Sequence, residues 1–480
     1  MDECLEVRAP FDGAHLATLE VSTPQEIEAA LANAYSLFRD RNRWLDASRR
    51  IEILNRARAI VLERRDTLAL TVARESGKPL RDALTEISRA ANGIELCVQQ
   101  LFCDAGQVVP MGVDATSASR VAFTQYEPVG VVLGIAAFNH PFNLVVHQLA
   151  PAVAVGAPVV IKPSPKTPLS CRAIVDIFHE AGLPEGWAQM VLPLDTATIG
   201  AMLRDPRIGY LTFIGSSTVG WKLRSQLAPG TRCALEHGGL APAIVAQDAN
   251  LAEAIPRLAR AAFWHAGQAC VSAQRIFCHR HVIDDFVAGL AAAGRKLVTG
   301  DPTHTTTDVG PLITHAENDR VADWVREAIA EGARAVSGAT RISASCYANT
   351  VLLNPSPHSK VSRKEIFGPV VAVYPYEDLD AAIAAANDVE FAFQAAVFTQ
   401  DLDRAMHVFR RLDGTTVMLN EHPLFRVDWM PFGGARQSGL GVGGMAYTMK
   451  DMRTEKMLVW RWSAAATGAA AAVTSPAGTT

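Results

Sequence analysis

Apolar positions in the first quarter of the chain recur three and four residues apart. Farther along they gather into short unbroken runs. Residues 24–104 keep the helical period, as in Ile51-Glu52-Ile53-Leu54-Asn55-Arg56-Ala57, which predicts amphipathic helices with one face turned inward. Residues 119–127 alternate through Arg120, Val121, Ala122, Phe123 and Thr124, predicting an exposed strand. Strand-then-helix units follow. An apolar strand over 129–135 precedes a helix at about 142–156, and a strand over 158–162 precedes a helix at about 168–181. Short runs at 190–192 and 210–214 continue the series. Apolar strands too short to alternate, separated by helices, predict a parallel sheet covered on both faces. The pattern restarts after Gly239, with strands at 243–245 and 274–278 around a helix at 251–265. A second α/β unit therefore begins near 240.

The 480 residues are too many for one core and point to two or three domains. A formal charge of −4 leaves no electrostatic footprint for nucleic acid or an anionic membrane. The run 144–161 is apolar enough to raise the question of a membrane span, but it holds His147, Gln148, Pro151 and Pro158 and reads as buried core. The first residues lack the basic and apolar regions of a signal peptide. Eight scattered cysteines show neither metal-ligand spacing nor a compact disulfide framework, so no metal is expected and a reducing cytoplasm is the simplest setting. From Ser463 the text is mostly Ala, Thr and Gly without periodicity, the composition of a mobile tail (463–480).

Two residues carry the first chemical signal. Cys270, in Gly267-Gln268-Ala269-Cys270, follows Glu236, in Leu235-Glu236-His237-Gly238-Gly239. A thiol traps an aldehyde covalently, and a carboxylate activates the water that hydrolyses the resulting thioester. Each alone also has a bland reading, the cysteine as a small core residue and Glu-X-Gly-Gly as a strand end before a turn.

These two segments fall in order with Phe138-Asn139-His140-Pro141, Lys162-Pro163-Ser164, Phe213-Ile214-Gly215-Ser216, Glu365-Ile366-Phe367-Gly368-Pro369 and Pro431-Phe432-Gly433-Gly434. Over about residues 5–460 the chain resembles the NAD(P)-dependent aldehyde dehydrogenase superfamily, in particular its lactaldehyde, phosphonoacetaldehyde and non-phosphorylating glyceraldehyde-3-phosphate branch. The resemblance implies two Rossmann-type parallel-sheet domains and a small β bridging element. The dinucleotide domain would be 1–104 with 129–238, the catalytic domain 239–440, and the bridging strands 105–128 and 441–462, which mediate homodimer or homotetramer contacts. It makes Cys270 the nucleophile, Glu236 the general base and Asn139 the donor to the oxyanion; a turn asparagine is the alternative for Asn139. The loop Gly215-Ser216-Ser217-Thr218-Val219-Gly220 joins a strand to a helix whose N–H groups suit a pyrophosphate, and Ser216 inherits the diphosphate contact. Lys162 and Ser164 would face the adenosine ribose. Gly238 belongs to the same cofactor set, while Glu365 holds the nicotinamide ribose and Phe367 packs near the ring. Because the CoA-acylating branch commonly lacks the glutamate, Glu236 favours hydrolysis to a free acid. A cysteine esterase and a non-catalytic homologue are the readings from other classes.

The chain departs from the commonest pattern in places. His237 replaces a leucine and is expected to put an ionisable group near the base. Ala269 precedes the nucleophile. Pro165 stands where NAD-preferring members carry a ribose-binding glutamate, and Lys166 follows it, so NADP is expected to be tolerated or preferred, with Lys162 and Lys166 placed to meet its phosphate; Lys166 pointing to solvent is the other reading. Arg426, six residues before Phe432, is expected at the substrate entrance with His140, His147 and Trp264. An arginine there grips a phosphonate, sulfonate or carboxylate bidentately, so a small polar or anionic aldehyde is the expected substrate, neutral aliphatic or aromatic aldehydes being the alternative. Pairing of Arg426 with Asp428 is the bland reading.

Overall fold

The strand-then-helix text becomes two parallel sheets in the computed structural model, which describes residues 4–462. The first has six strands in the order Gly439–Leu440, Arg232–Glu236, Ile208–Ile214, Val131–Ile135, Val159–Lys162 and Ala188–Met190. All run parallel except Gly439–Leu440. Val131–Ile135 and Val159–Lys162 are buried throughout, which is why they show no alternation. Helix Asn143–Val155 covers one face and is itself buried along its length; this is the run that is apolar enough to resemble a membrane span. No helix among the described residues is long and apolar enough to cross a membrane. The second sheet has seven strands, ordered Arg334–Ser337, Thr350–Leu353, Val370–Tyr376, Arg275–His279, Ala243–Val245, Gln394–Phe398 and Thr416–Leu419. Only the edge strand Arg334–Ser337 is antiparallel. Each sheet has its own apolar clusters.

The helical first quarter forms Pro24–Arg39, Ala47–Glu63, Arg65–Ser76 and Leu80–Phe102. Pro24–Arg39 opens with a capping box between Thr23 and Glu26, satisfying two N–H groups that have no partner inside the helix. The alternating segment is the strand Arg120–Pro128, paired antiparallel with Arg453–Arg461 and flanked by Val108–Val109. Phe123, Met457, Val459 and Trp460 are exposed on this arm.

The segment 441–462, expected as bridging strand, is divided. Met445–Asp451 is a helix, and only Arg453–Arg461 is strand. Met445, Met449 and Met452 lie at helical spacing and join the first apolar core, a burial that outweighs strand pairing there. Gly439–Leu440, placed with residues 239–440 on the sequence, pairs instead with Arg232–Glu236. A side chain at Gly439, with φ of 151°, would run into the Leu235 carbonyl, so only glycine lets the chain lie this close. A hairpin of Cys4–Arg8 and His15–Glu20 escaped the pattern reading. The tail expected at 463–480 lies outside the described residues.

Helix Leu80–Phe102 is joined to the first sheet through a buried carboxylate. Glu86 Oε1 accepts the N–H groups of Phe142 and Asn143, each at 3.0 Å, at the start of helix Asn143–Val155. Its Oε2 pairs with Lys78. Both side chains are almost wholly buried, at 0% and 1% exposure. Removing one member of such a pair leaves a buried charge alone. Glu86→Ala is expected to lower unfolding stability by about 3–5 kcal/mol in urea titrations, and Glu86→Gln, which keeps the helix cap, by less. Equal stability of wild type and Glu86→Ala would contradict this account.

Candidate active site

A cavity of about 1110 Å³ opens where the carboxyl ends of the first sheet's strands meet the nucleophile loop and the 422–432 segment. Open α/β sheets hold ligands at that edge because strand ends leave backbone groups and loops facing outward.

The nucleophile loop is held in a strained shape. Helix Leu251–Phe263 ends, and His265, Ala266 and Gly267 follow with φ of 50°, 54° and 70°. Left-handed backbone costs on the order of 1–3 kcal/mol for a non-glycine residue. A Cβ on Gly267 would meet the Gly368 carbonyl. The buried Gln268 side chain secures the turn: Nε2 donates to the carbonyls of His265 (3.1 Å) and Pro311 (3.2 Å), and Oε1 accepts from Ile313 N–H at 2.9 Å. Two residues on, Cys270 Sγ lies 3.6 Å from Glu236 Oε1, so a thiol S–H donates to that carboxylate. Burial pushes the thiol far above its usual range, and the Glu236 charge adds to this. Burial also raises Glu236, opposed by Arg426. Asn139 Nδ2 donates to the Gln268 carbonyl at 3.0 Å, which places its amide beside the nucleophile loop.

Opposite the thiol the wall is polar. His140 stacks on Trp264, ring centroids 5.2 Å apart, and both line the cavity. Arg426 sits over Phe432, Cζ 3.6 Å from the ring centroid, and its Nε is buried without a hydrogen-bond partner. Its nearest carboxylate contact is Asp428 Oδ1 at 3.9 Å, too long for a hydrogen bond. Asp428 is already engaged: Arg89 donates to both oxygens (3.1 and 2.6 Å) and His147 Nε2 lies 3.0 Å from Oδ1. Although Asp428 is buried, His147 and Arg89 together hold it well below the usual carboxylate range. His147 therefore departs from expectation. It does not line the cavity but supports it from behind through Asp428, because it lies on a helix buried on every face. Lys78, Glu86 and Arg89 were not singled out in the sequence; Gln268 entered only as part of the cysteine motif and Asp428 only as a partner for Arg426.

Lys162, Ser164, Gly215, Ser216, Gly238, Glu365 and Phe367 all line the far end of the same cavity. Ser216 precedes helix Ser217–Arg224, whose N-terminus has no side-chain cap. Glu365 Oε1 is buried without a partner, and a Cβ at Gly238 would run into that carboxylate. Phe138 packs edge-on against Phe367 at 5.7 Å. Lys162 Nζ donates to the Pro163 carbonyl at 3.1 Å, while Lys166 is exposed at the wall. His237 is not beside the base. Its ring turns away between Phe213 and Trp221, with Nδ1 2.9 Å from the Gln437 carbonyl, because successive strand residues point to opposite faces.

A model of the aldehyde dehydrogenase family matches residues 1–458. The chain belongs to that family. It is 37% identical to a 3-sulfolactaldehyde dehydrogenase of Priestia aryabhattai, with 95% of each chain covered. It is 31% identical to a sulfoacetaldehyde dehydrogenase of Neptuniibacter caesariensis, over 94% of this chain and 98% of that one. Its fold superimposes with a TM-score of 0.91 on a glyceraldehyde-3-phosphate dehydrogenase of Methanocaldococcus jannaschii complexed with NADP, at 29% identity, covering 96% of this chain and 100% of that one. The protein is an NAD(P)-dependent aldehyde dehydrogenase. The free Glu365 oxygen and the uncapped helix at Ser216 suit a dinucleotide.

Burial pushes the Glu365 carboxyl from 4.5 up to about 8. Between those values the unfolded chain has lost the proton and the folded dehydrogenase keeps it, so this group's contribution to stability falls as pH rises. Glu365→Gln removes the titration. Wild type should lose stability relative to Glu365→Gln across that window, by up to about 1.4 kcal/mol per pH unit, measured by urea unfolding at several pH values. A difference independent of pH would contradict burial of this carboxyl.

Proposed function

We propose that this dehydrogenase oxidises short anionic aldehydes to carboxylic acids through a thioester on Cys270 that water hydrolyses. The observation that carries this reading is Arg426: a nearly buried guanidinium stacked on Phe432, with a free Nε, on the cavity shared by Cys270 and Glu236. A buried cation without a full set of acceptors costs stability and is offset when a substrate anion binds. The relatives named for 3-sulfolactaldehyde and sulfoacetaldehyde support the same chemistry.

In this reading Glu236 takes the Cys270 proton, and the thiolate attacks the aldehyde carbon. The Asn139 amide and the Cys270 backbone N–H hold the oxyanion, a type of contact whose loss typically costs on the order of 100- to 1000-fold. A dinucleotide held at the far end of the cavity would supply the acceptor for the aldehyde hydride. Glu236, having passed the thiol proton to solvent, then removes a proton from the water that attacks the thioester carbon; the C–S bond breaks, the departing Cys270 thiolate takes that proton back from Glu236, and the product leaves as the carboxylate. Lys162, Ser164, Gly215, Ser216, Gly238, Glu365 and Phe367 hold the dinucleotide. The exposed apolar side chains of the Arg453–Arg461 arm form the contact of a homodimer or homotetramer, and the enzyme works in the cytoplasm.

Arg426→Ala tests the substrate reading. The KM for sulfoacetaldehyde should rise by roughly 10- to 100-fold while the KM for propanal changes little. Equal effects on the two, or a wild-type preference for hexanal or benzaldehyde, would overturn it. The cofactor half gives a second expectation. With Pro165 in place of an acid and Lys162 and Lys166 on the wall, NADP+ is accepted alongside NAD+. Initial rates at 340 nm with both cofactors check this, and an NAD+ preference beyond about 100-fold in kcat/KM, equivalent to nearly 3 kcal/mol, would refute it.

A further inference from the structure

We infer that Lys78 is a positioning residue that fixes His140 as a neutral imidazole with its proton on Nε2, aimed into the cavity as a donor for the substrate. The inference rests on the substrate reading above and adds to it the form in which the histidine acts.

The argument is one of donors and acceptors. Glu86 Oε1 accepts two backbone N–H groups at the start of helix Asn143–Val155, where negative charge is favoured. Lys78, paired with the other Glu86 oxygen, donates there as an ammonium, the adjacent Glu86 opposing the burial that lowers the lysine. An ammonium has three donors and no acceptor. Lys78 Nζ lies 3.1 Å from His140 Nδ1, so Nδ1 accepts and the ring proton sits on Nε2. Glu86 Oε2, at 3.7 Å from Nδ1, is too far to accept a proton there. Nε2 has no protein partner among the described residues, and the ring lines the cavity, held flat by Trp264.

The charged groups around the ring are Lys78, Arg89 and Arg426, with Glu86, Asp82 and Asp428 as the acids, and the neighbouring titratable ring is His265. Three cations on this side and the lost hydration disfavour an imidazolium. His140 thus recognises a substrate anion or hydroxyl by hydrogen bonding, without gaining charge as the pH falls.

The test measures KM for sulfoacetaldehyde and for propanal from pH 5.5 to 8, in a His422→Gln background that removes a second histidine of the cavity wall; the third, His237, packs its ring between Phe213 and Trp221. A sulfonate stays ionised throughout, and the propanal ratio cancels effects on the thiol and the base. The ratio should stay flat in this enzyme. In Lys78→Met/Glu86→Gln, which removes both buried charges together, His140 is freed to take up a proton, and the ratio should fall by roughly 10-fold at the acid end. His140→Gln, whose amide nitrogen reaches the Nε2 position, should retain the ratio, while His140→Phe should raise it roughly 10-fold. A ratio in the parent that titrates in the histidine range, or no effect of His140→Phe, would overturn the inference. If the double variant does not fold, the parent's pH profile and the two His140 variants still decide it. A general preference for propanal would instead defeat the substrate reading, so the two failures are distinguishable.

Discussion

The Glu86 carboxylate holds the catalytic cavity in shape. One oxygen collects the first N–H groups of helix Asn143–Val155 and the other meets Lys78. The turn just before that helix carries Asn139 and His140, so both donors are fixed between the end of the Val131–Ile135 strand and a capped helix start. Either charge alone at this depth would be prohibitive, whereas the pair is neutral with its hydrogen bonds filled. Gln268 does the equivalent across the cavity with an amide, locking the strained turn before Cys270. The Asn139 bond to the Gln268 carbonyl closes the frame. Asn139 and Cys270, the proposed oxyanion donor and nucleophile, thus come from different sheets but share one hydrogen-bonded support, the preorganisation that electrostatic catalysis requires.

A second buried carboxylate orders the substrate side. Arg89 and His147 saturate Asp428, leaving Arg426 only a loose contact with it. Charges then alternate along the wall, from Arg89 through Asp428 and Arg426 to Glu236. Arg426 opposes the rise that burial imposes on Glu236. A substrate anion on Arg426 would weaken that opposition and let the Glu236 carboxylate take a proton more readily. Substrate charge and base strength are coupled through one guanidinium.

The fold class was legible because period and run length report which faces are buried. The motif residues Asn139, Lys162, Gly215 and Glu236 were legible as a group because they end strands of one parallel sheet, whose carboxyl edge gathers them. What escaped lay in helical text. Lys78, Glu86 and Arg89 drew no reading, since nothing local reveals which turn a helix covers. The two misplaced histidines failed for geometric reasons. His147 sits on a helix buried all round, where no polar face orients it, and His237 follows Glu236 on a strand and so faces the other way. The 441–462 segment was expected as strand on the family resemblance, which left the helical spacing of Met445, Met449 and Met452 unread.

The same packing sets how long a substrate this site accepts. Val271, Phe393 and Phe432 form a small cluster, with Cys270 packed against it. Phe432 also supports the Arg426 guanidinium from below. Cys270 and Arg426, the proposed nucleophile and anion-binding group, therefore both rest on Phe432 and its cluster. A stacked guanidinium is held in its plane and presents its N–H edge outward, which favours an oxyanion arriving edge-on. An aldehyde carbon on Cys270 and an anion on Arg426 must then be separated by a distance that the Phe432 cluster fixes. Short chains span it; a long aliphatic chain would have to drive its methylenes against Arg426, displacing a buried cation. On the proposed substrate, charge selection and length selection would both follow from a single aromatic contact.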